Sequence, residues 1–351
     1  MLHAVIRADA TERIGIGHIM RCLVLADKLR EQGAYVTFLC SPLPSALHQK
    51  LIDDGYNIVT LPVFKNWSED AEAVRKVLTT FPETIACLIV DHYGIDYHWE
   101  TQMRSYVEKI ALIDDMANRK HDCDILLDQN YVFNMNCRYE GLLPKECRLF
   151  LGPAYALLRH EFHVHAAHAN VRRKLNRVLI SFGGSDPTGE TRKVIMALRE
   201  GHFPALQYDI IVGAANKQVE RILADCSGMP NVHVHVDVQN MSELMRQADI
   251  CIGSPGISTW ERCMMGLPSV HIVVASNQHE TAEALAANGL AWNMGWHESV
   301  TGKALADQLI LLQRSPDTVE YVSEHVMELM ELAAQTKKHP FLQAILEGGT
   351  S

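Results

Sequence analysis

The sequence predicts an α/β protein of two domains, each built on a parallel β-sheet. Three observations carry that expectation. At 351 residues the chain is about two average domains long. Short continuous apolar runs alternate with longer amphipathic segments, the pattern of strands buried on both faces between helices. The alternation stops at a polar, basic stretch over residues 159–176 and then begins again.

In the first half, residues 2–6 read as a short strand. Residues 19–32 carry Ile19, Cys22, Leu23, Leu25, Ala26 and Leu29 as a helical apolar stripe, and Gly33 ends that helix. A strand over 35–40 follows, then a helix from Pro44 to Gly55 and a weaker strand over 58–61. A helix beginning at Ser68 stops before Pro82. Residues 85–90 are a continuous apolar strand, 97–107 a helix and 109–113 a strand. The second half predicts strands over 177–182, 208–212, 232–236, 250–252 and 268–274. Its helices are expected over 188–199, 218–224, 241–247, 259–265, 278–287, 302–312 and 318–336. The domain reading is therefore 1–160, a linker over 161–176, a second domain over 177–316, and a C-terminal helix and tail over 317–351. His160, His163, His165 and His168 fall in or beside the linker, where their spacing matches no recognised metal motif and favours a solvated connector.

Charge excludes one class of partner. With 32 Lys and Arg against 42 Asp and Glu, the net charge is −10, which offers no overall basic face to nucleic acid. No apolar run approaches the ~20 residues of a membrane span, so no membrane insertion is expected. The N-terminus has no basic segment feeding an apolar run, so no signal peptide is expected either. The nine cysteines form no CxxC pair, and an odd number in apolar surroundings suits free thiols in a reducing, cytoplasmic setting. A monomer is expected.

The residues that could carry chemistry sit at strand ends, where open α/β sheets bind ligands. Arg7 and Asp9 close the first strand, and Gly15, Gly17 and His18 lead into a helix carrying Arg21 and Cys22. The spacing is not that of a dinucleotide fingerprint, because Met20 stands where the third glycine would be. His18 reads equally as a general base or as a helix cap. Residues 91–96, with Asp91 and Tyr93, occupy an equivalent strand end. Asp114 and Asp115 follow the next strand and read as helix caps before metal ligands. In the second half, Gly183, Gly184 and Ser185 follow a strand, as do Gly256, Ser258, Thr259 and Glu261. Such loops suit a phosphate or a closely docked ligand, and ordinary turns as well. Asn277 and Gln278 follow a further strand and lead into a helix.

In order along most of the chain, these pieces resemble the nucleotide-sugar hydrolases of pseudaminic acid biosynthesis. They are Arg7-x-Asp9, Gly15-x-Gly17-His18-x-x-Arg21-Cys22, Asp91-x-Tyr93, Ser181-x-Gly183-Gly184-x-Asp186, Thr259-Trp260-Glu261-Arg262, Gly266-Leu267-Pro268 and Asn277-Gln278. That family is similar in turn to the glycosyltransferases of GT-B fold. The resemblance implies two Rossmann-like domains facing each other across a cleft. It also implies that a UDP-linked diacetamido-trideoxy sugar is hydrolysed to UDP and free sugar with inversion at the anomeric carbon. His18 would be the base activating water, Asp9 would orient it or bind sugar, and Tyr93 and Asn277 would approach the sugar. Gly17, Arg21, Gly183, Gly184, Ser185, Gly256, Ser258, Thr259 and Gln278 would bind substrate, and Glu261 the ribose. No cofactor and no essential metal is implied. Pro255 and Ser276 depart from the family pattern. The alternatives are an inverting GT-B transferase acting on a UDP-sugar, and a non-catalytic sugar-nucleotide binding protein.

Overall fold

The computed structural model describes residues 2–10, 16–335 and 338–347. Gly15, part of the glycine–histidine motif, lies outside the described residues. The chain divides into two compact units. The first takes the described residues within Met1–Asn130, Asn134–Leu157 and Thr336–Ser351, and the second those within Tyr131–Phe133 and Leu158–Gln335. The main division therefore falls at Leu157 and Leu158, ahead of the expected linker. The last helix, Pro340–Leu346, belongs to the first unit.

The first unit holds seven parallel strands: β1 (His3–Ala8), β2 (Tyr35–Cys40), β3 (Asn57–Thr60), β4 (Cys87–Asp91), β5 (Ile110–Ile113), β6 (Ile125–Asp128) and β7 (Arg148–Leu151). Their order is β3-β2-β1-β4-β5-β6-β7. Strand alternation sorts the core to both faces. Ala4, Ile6 and Ala8 pack with Ile19, Leu25 and Leu29 of the helix Gly17–Glu31 and with Phe341 and Ile345 of the last helix. Val5, Leu88 and Val90 pack with Val74, Leu78 and Trp99 on the other side. Gly33 ends the helix Gly17–Glu31 at φ +82°, with its N–H on Arg30 O and that of Ala34 on Leu29 O. This left-handed turn is one that glycine adopts without strain. Lys109 Nζ donates to Ala344 O and Glu347 O, holding the carbonyl end of the last helix to the sheet.

The second unit holds six parallel strands: β8 (Arg177–Ser181), β9 (Gln207–Val212), β10 (Val232–Val236), β11 (Ile250–Gly253), β12 (Ser269–Val273) and β13 (Trp292–Trp296), in the order β10-β9-β8-β11-β12-β13. In both sheets the fourth strand pairs with the first, so the chain reverses direction across the sheet at β1/β4 and at β8/β11. Each reversal is a topological switch point, where diverging loops leave a crevice at the strands' carboxyl ends.

The structure corrects the sequence expectations in several places. The expected helix over 97–107 ends at Met103 and tightens into the turn Arg104–Tyr106. β6, β7 and β13 were not expected. The expected linker contains the helix His160–Ala166, fixed by Phe162, which is fully buried. Glu161 of that helix accepts from Ser242 N and Oγ, and His165 Nδ1 lies 2.8 Å from the same Oγ. The segment is thus a packed element of the second unit.

Candidate functional site

In the first unit the switch point is occupied by charge. Ala8 of β1 pairs with Asp91, the last residue of β4. The helix Gly17–Glu31 begins beside them, and His18 and Arg21 lie one turn apart on its buried face. His18 Nδ1 is 2.5 Å from Asp91 Oδ1. Arg21 donates from Nε to Asp91 Oδ2 and from Nη2 to Oδ1, both at 2.5 Å. Burial alone would raise the Asp91 carboxyl, but Arg21 and His18 overcome it and hold the group well below the usual carboxylate range. An ionised Asp91 only accepts, so His18 Nδ1 carries the proton it donates. In the neutral imidazole that leaves the lone pair on Nε2. Arg21 Nη2 is 3.1 Å from Nδ1, but both atoms are donors, so this contact is not a bond.

Tyr93 braces the same group. Its ring meets that of His18 edge to face, with centroids 4.5 Å apart. Its hydroxyl donates to Asp115 Oδ2 at 3.1 Å, and Arg21 Nη1 donates to that oxygen at 3.2 Å. Asp115 is therefore a brace rather than a helix cap. Asp114 caps no helix either: it accepts from Met116 N and Ala117 N in a tight turn and from the Tyr139 hydroxyl. Among the described residues no group of three or more His, Cys, Asp or Glu side chains is arranged to hold a metal ion.

Asp9 lies in a different network. It accepts from Arg7 at 2.6 and 3.0 Å, from Ser41 N at 2.7 Å and from His92 Nε2 at 3.1 Å. His92 Nδ1 accepts from Gly94 N, which assigns the proton to Nε2. Arg7 also binds Asp70, and Asp70 accepts from Trp99 Nε1, so the network ties β1 to the helix Trp67–Leu78. The carboxylate that orients His18 is Asp91, not Asp9. The signal available in the sequence was its place as the first polar residue after the apolar run of β4.

The second unit lines its switch point with backbone-rich loops. Gly183, just past β8, has φ +86°. Gly184 passes so close to Gly213 that a Cβ on Gly213 would lie 2.3 Å from the Gly184 carbonyl oxygen. Ser185 follows half-buried, and Asp186 accepts from Glu190 N and Thr191 N, anchoring the next helix. Past β11, residues 254–257 lead into the helix Ser258–Met264. Thr259 turns inward, its N–H on Gly256 O and its Oγ1 accepting from Arg262 Nη2, so its polar atoms serve the loop itself. Glu261 is bound by Arg159 Nε at 2.8 Å and Nη2 at 3.2 Å. The expected ribose ligand thus already has a cationic partner. A Cβ on Gly256 would lie 3.7 Å from Gln278 Nε2, so these two loops meet. Gln278 Oε1 accepts from Val274 N, which orients the amide nitrogen, and Asn277 lies beside it in the turn Ser276–Gln278.

The model of the glycosyltransferase family 28 C-terminal domain matches residues 179–337, most of the second unit. The chain is similar to the UDP-2,4-diacetamido-2,4,6-trideoxy-beta-L-altropyranose hydrolase of Campylobacter jejuni, 29% identical over 81% of this chain and 96% of that one. Among solved structures, Acinetobacter baumannii MurG superposes with a TM-score of 0.64 at 14% identity, covering 98% of both chains. The spinosyn rhamnosyltransferase SpnG, complexed with thymidine diphosphate, superposes with a TM-score of 0.60 at 17% identity over 99% of this chain and 100% of that one. The chain therefore has the two-Rossmann-domain α/β fold of GT-B type. No described helix is long and apolar enough to cross a membrane.

Proposed function

We propose that the protein is an inverting enzyme acting on a UDP-sugar, with His18 as its general base. The observation that carries this reading is the His18–Asp91 pair at the first switch point, which leaves Nε2 free to take a proton. An acceptor O–H attacks the anomeric carbon and passes its proton to His18 Nε2. The bond from that carbon to the diphosphate oxygen breaks, and UDP leaves with the electron pair. One displacement inverts the anomeric centre. Asp91 stabilises the imidazolium as it forms. In the second unit, Gly183, Gly184, Ser185, Gly256 and Ser258 line the backbone-rich loops that suit the diphosphate, and Asn277 and Gln278 suit the sugar. Fixed dipoles at such loops stabilise charge as it grows on the leaving group.

The base serves an alcohol or water equally, since both present an O–H. Transfer to an acceptor hydroxyl is the reading that the solved structures favour, a rhamnosyltransferase among them. Hydrolysis of a UDP-linked diacetamido-trideoxy sugar, on the way to pseudaminic acid, is favoured by the similarity to the Campylobacter hydrolase. Incubating the protein with a panel of UDP-sugars, that diacetamido sugar included, with and without acceptor sugars, separates the two. UDP released only with an acceptor supports transfer. UDP and free sugar formed in water alone support hydrolysis. No UDP release under either condition rejects the enzymatic reading.

A further inference from the structure

Among the described residues four arginines are almost wholly buried: Arg7, Arg21, Arg172 and Arg262. A guanidinium stays charged in a protein, so burying one calls for a carboxylate or a full set of oriented acceptors. Arg7 has Asp9 and Asp70, and Arg21 has Asp91 and Asp115. Arg172 donates to the carbonyls of Asn170, Met245, Arg246, Ala248 and Met265. Several of these belong to the end of the helix Met241–Gln247, where the backbone dipole is negative.

Arg262 has neither form of compensation. It is 0% exposed, and among the described residues it has no carboxylate within salt-bridge distance. Nη2 donates to Ser254 O at 2.8 Å and Thr259 Oγ1 at 2.9 Å, with His271 Nε2 at 3.4 Å. Among the described residues Nη1 reaches only Cys251 Sγ, at 3.9 Å, and Nε has no acceptor. His271 brings no negative charge: burial, and then the charge of Arg262, keep it neutral.

The position of this charge is specific. Gly253, at the end of β11, pairs with Ser181 of β8 on one side and His271 of β12 on the other. A Cβ on Gly253 would lie 2.8 Å from Arg262 Nη1 and 2.4 Å from Ser181 O. The guanidinium therefore sits directly beneath the switch point of the second sheet, under the loop over residues 254–258.

We propose that Arg262 is a positioning residue whose unbalanced charge makes this loop a diphosphate site, the missing counter-charge arriving with the ligand. Arg262 shapes the loop through Ser254 and Thr259, and its field acts across a few ångströms of low-dielectric protein. The inference rests on the nucleotide-sugar reading and names the source of its anion affinity.

Calorimetric titration of wild type and Arg262→Met with UDP and with uridine tests it. The substitution should weaken UDP roughly ten- to hundredfold, the scale of a lost charge-assisted contact, and leave uridine unchanged. Equal losses for the two ligands would make Arg262 a structural tie and overturn the proposal. A measurement on wild type does not depend on the variant folding. The Nε–H resonance of Arg262, followed by arginine-selective ¹⁵N NMR, should shift on addition of inorganic pyrophosphate, and an unmoved resonance also overturns the proposal. Wild type that binds pyrophosphate with this shift, but neither UDP nor uridine, would retire the nucleotide reading and leave the anion site standing.

Discussion

His18 Nδ1 and Asp91 Oδ1 lie 2.5 Å apart across the line where β1 and β4 run side by side. Seventy-three positions separate them in the chain. Arg21 grips both oxygens of the same carboxylate, so Asp91 is buried and held from two directions.

His18→Ala should lower turnover by ~10²–10⁴-fold, the usual worth of a general base. UDP affinity should hold, because the backbone-rich loops assigned to the diphosphate belong to the other unit. Initial rates and calorimetry check this together. Binding lost while turnover persists would remove His18 as the base.

Asp91→Asn should lower turnover as well, since a neutral amide no longer fixes the His18 tautomer or balances its imidazolium. It also strips a buried partner from Arg21, a loss of about 3–5 kcal/mol in stability. The Asp91 carboxyl is depressed in the folded state, so its contribution is complete above the unfolded value of ~3.9 and is lost as pH falls through the folded one. The stability gap between wild type and variant should therefore stay level from neutral to mildly acid pH and close only in strong acid. Urea denaturation across pH reads this directly.

Asp128 should behave in the opposite sense. Burial pushes its carboxyl up to about 7 against the pull of Arg138, and the charges of Asp115 and Asp114 add to the rise. A raised carboxyl favours folding below its unfolded value of ~3.9 and loses that advantage as pH climbs through 7. Relative to Asp128→Asn, wild type should therefore lose stability between pH 4 and 7 and change little above. A gap that widens in favour of wild type over that range would refute the assignment.

Gly213→Ala should disturb the second unit's glycine loop from behind. Its new methyl would lie 2.3 Å from the Gly184 carbonyl oxygen, a clash with backbone that no rotamer relieves. Overpacking of this kind is destabilising by about 1–3 kcal/mol. Thermal unfolding should show the loss, and UDP affinity should fall with it. Unchanged values for both would mean that the loop yields freely and is not a preformed cradle.

Glu261→Gln should weaken UDP by roughly ten- to hundredfold if the carboxylate takes the ribose. A 2′,3′-dideoxy analogue should weaken far less, since it lacks the hydroxyls. Because Arg159 already holds Glu261, the competing outcome is specific: if Glu261 serves only that pair, stability falls and both nucleotides weaken alike.

Local pattern was enough to mark most strands and helices, because a strand buried on both faces must be continuously apolar and a covering helix must carry a stripe. The same pattern placed His18, Gly183, Gly256 and Gln278 at strand ends. β7 escaped it because it is largely exposed, so its run is not continuously apolar. The helix His160–Ala166 escaped it because a histidine-rich segment reads as polar, while Phe162 and the Glu161–Ser242 bonds hold it in place. Which residues meet was decided by tertiary structure alone. Strand order brings β4 beside β1, so Asp91 and not the nearby Asp9 becomes the partner of His18. Strand order likewise buries Arg262 under three strand ends, with no carboxylate in salt-bridge distance among the described residues. Periodicity reports which face of an element is apolar, whereas pairing between distant charges depends on how the elements cross, and one chain's local spacing carries no record of that.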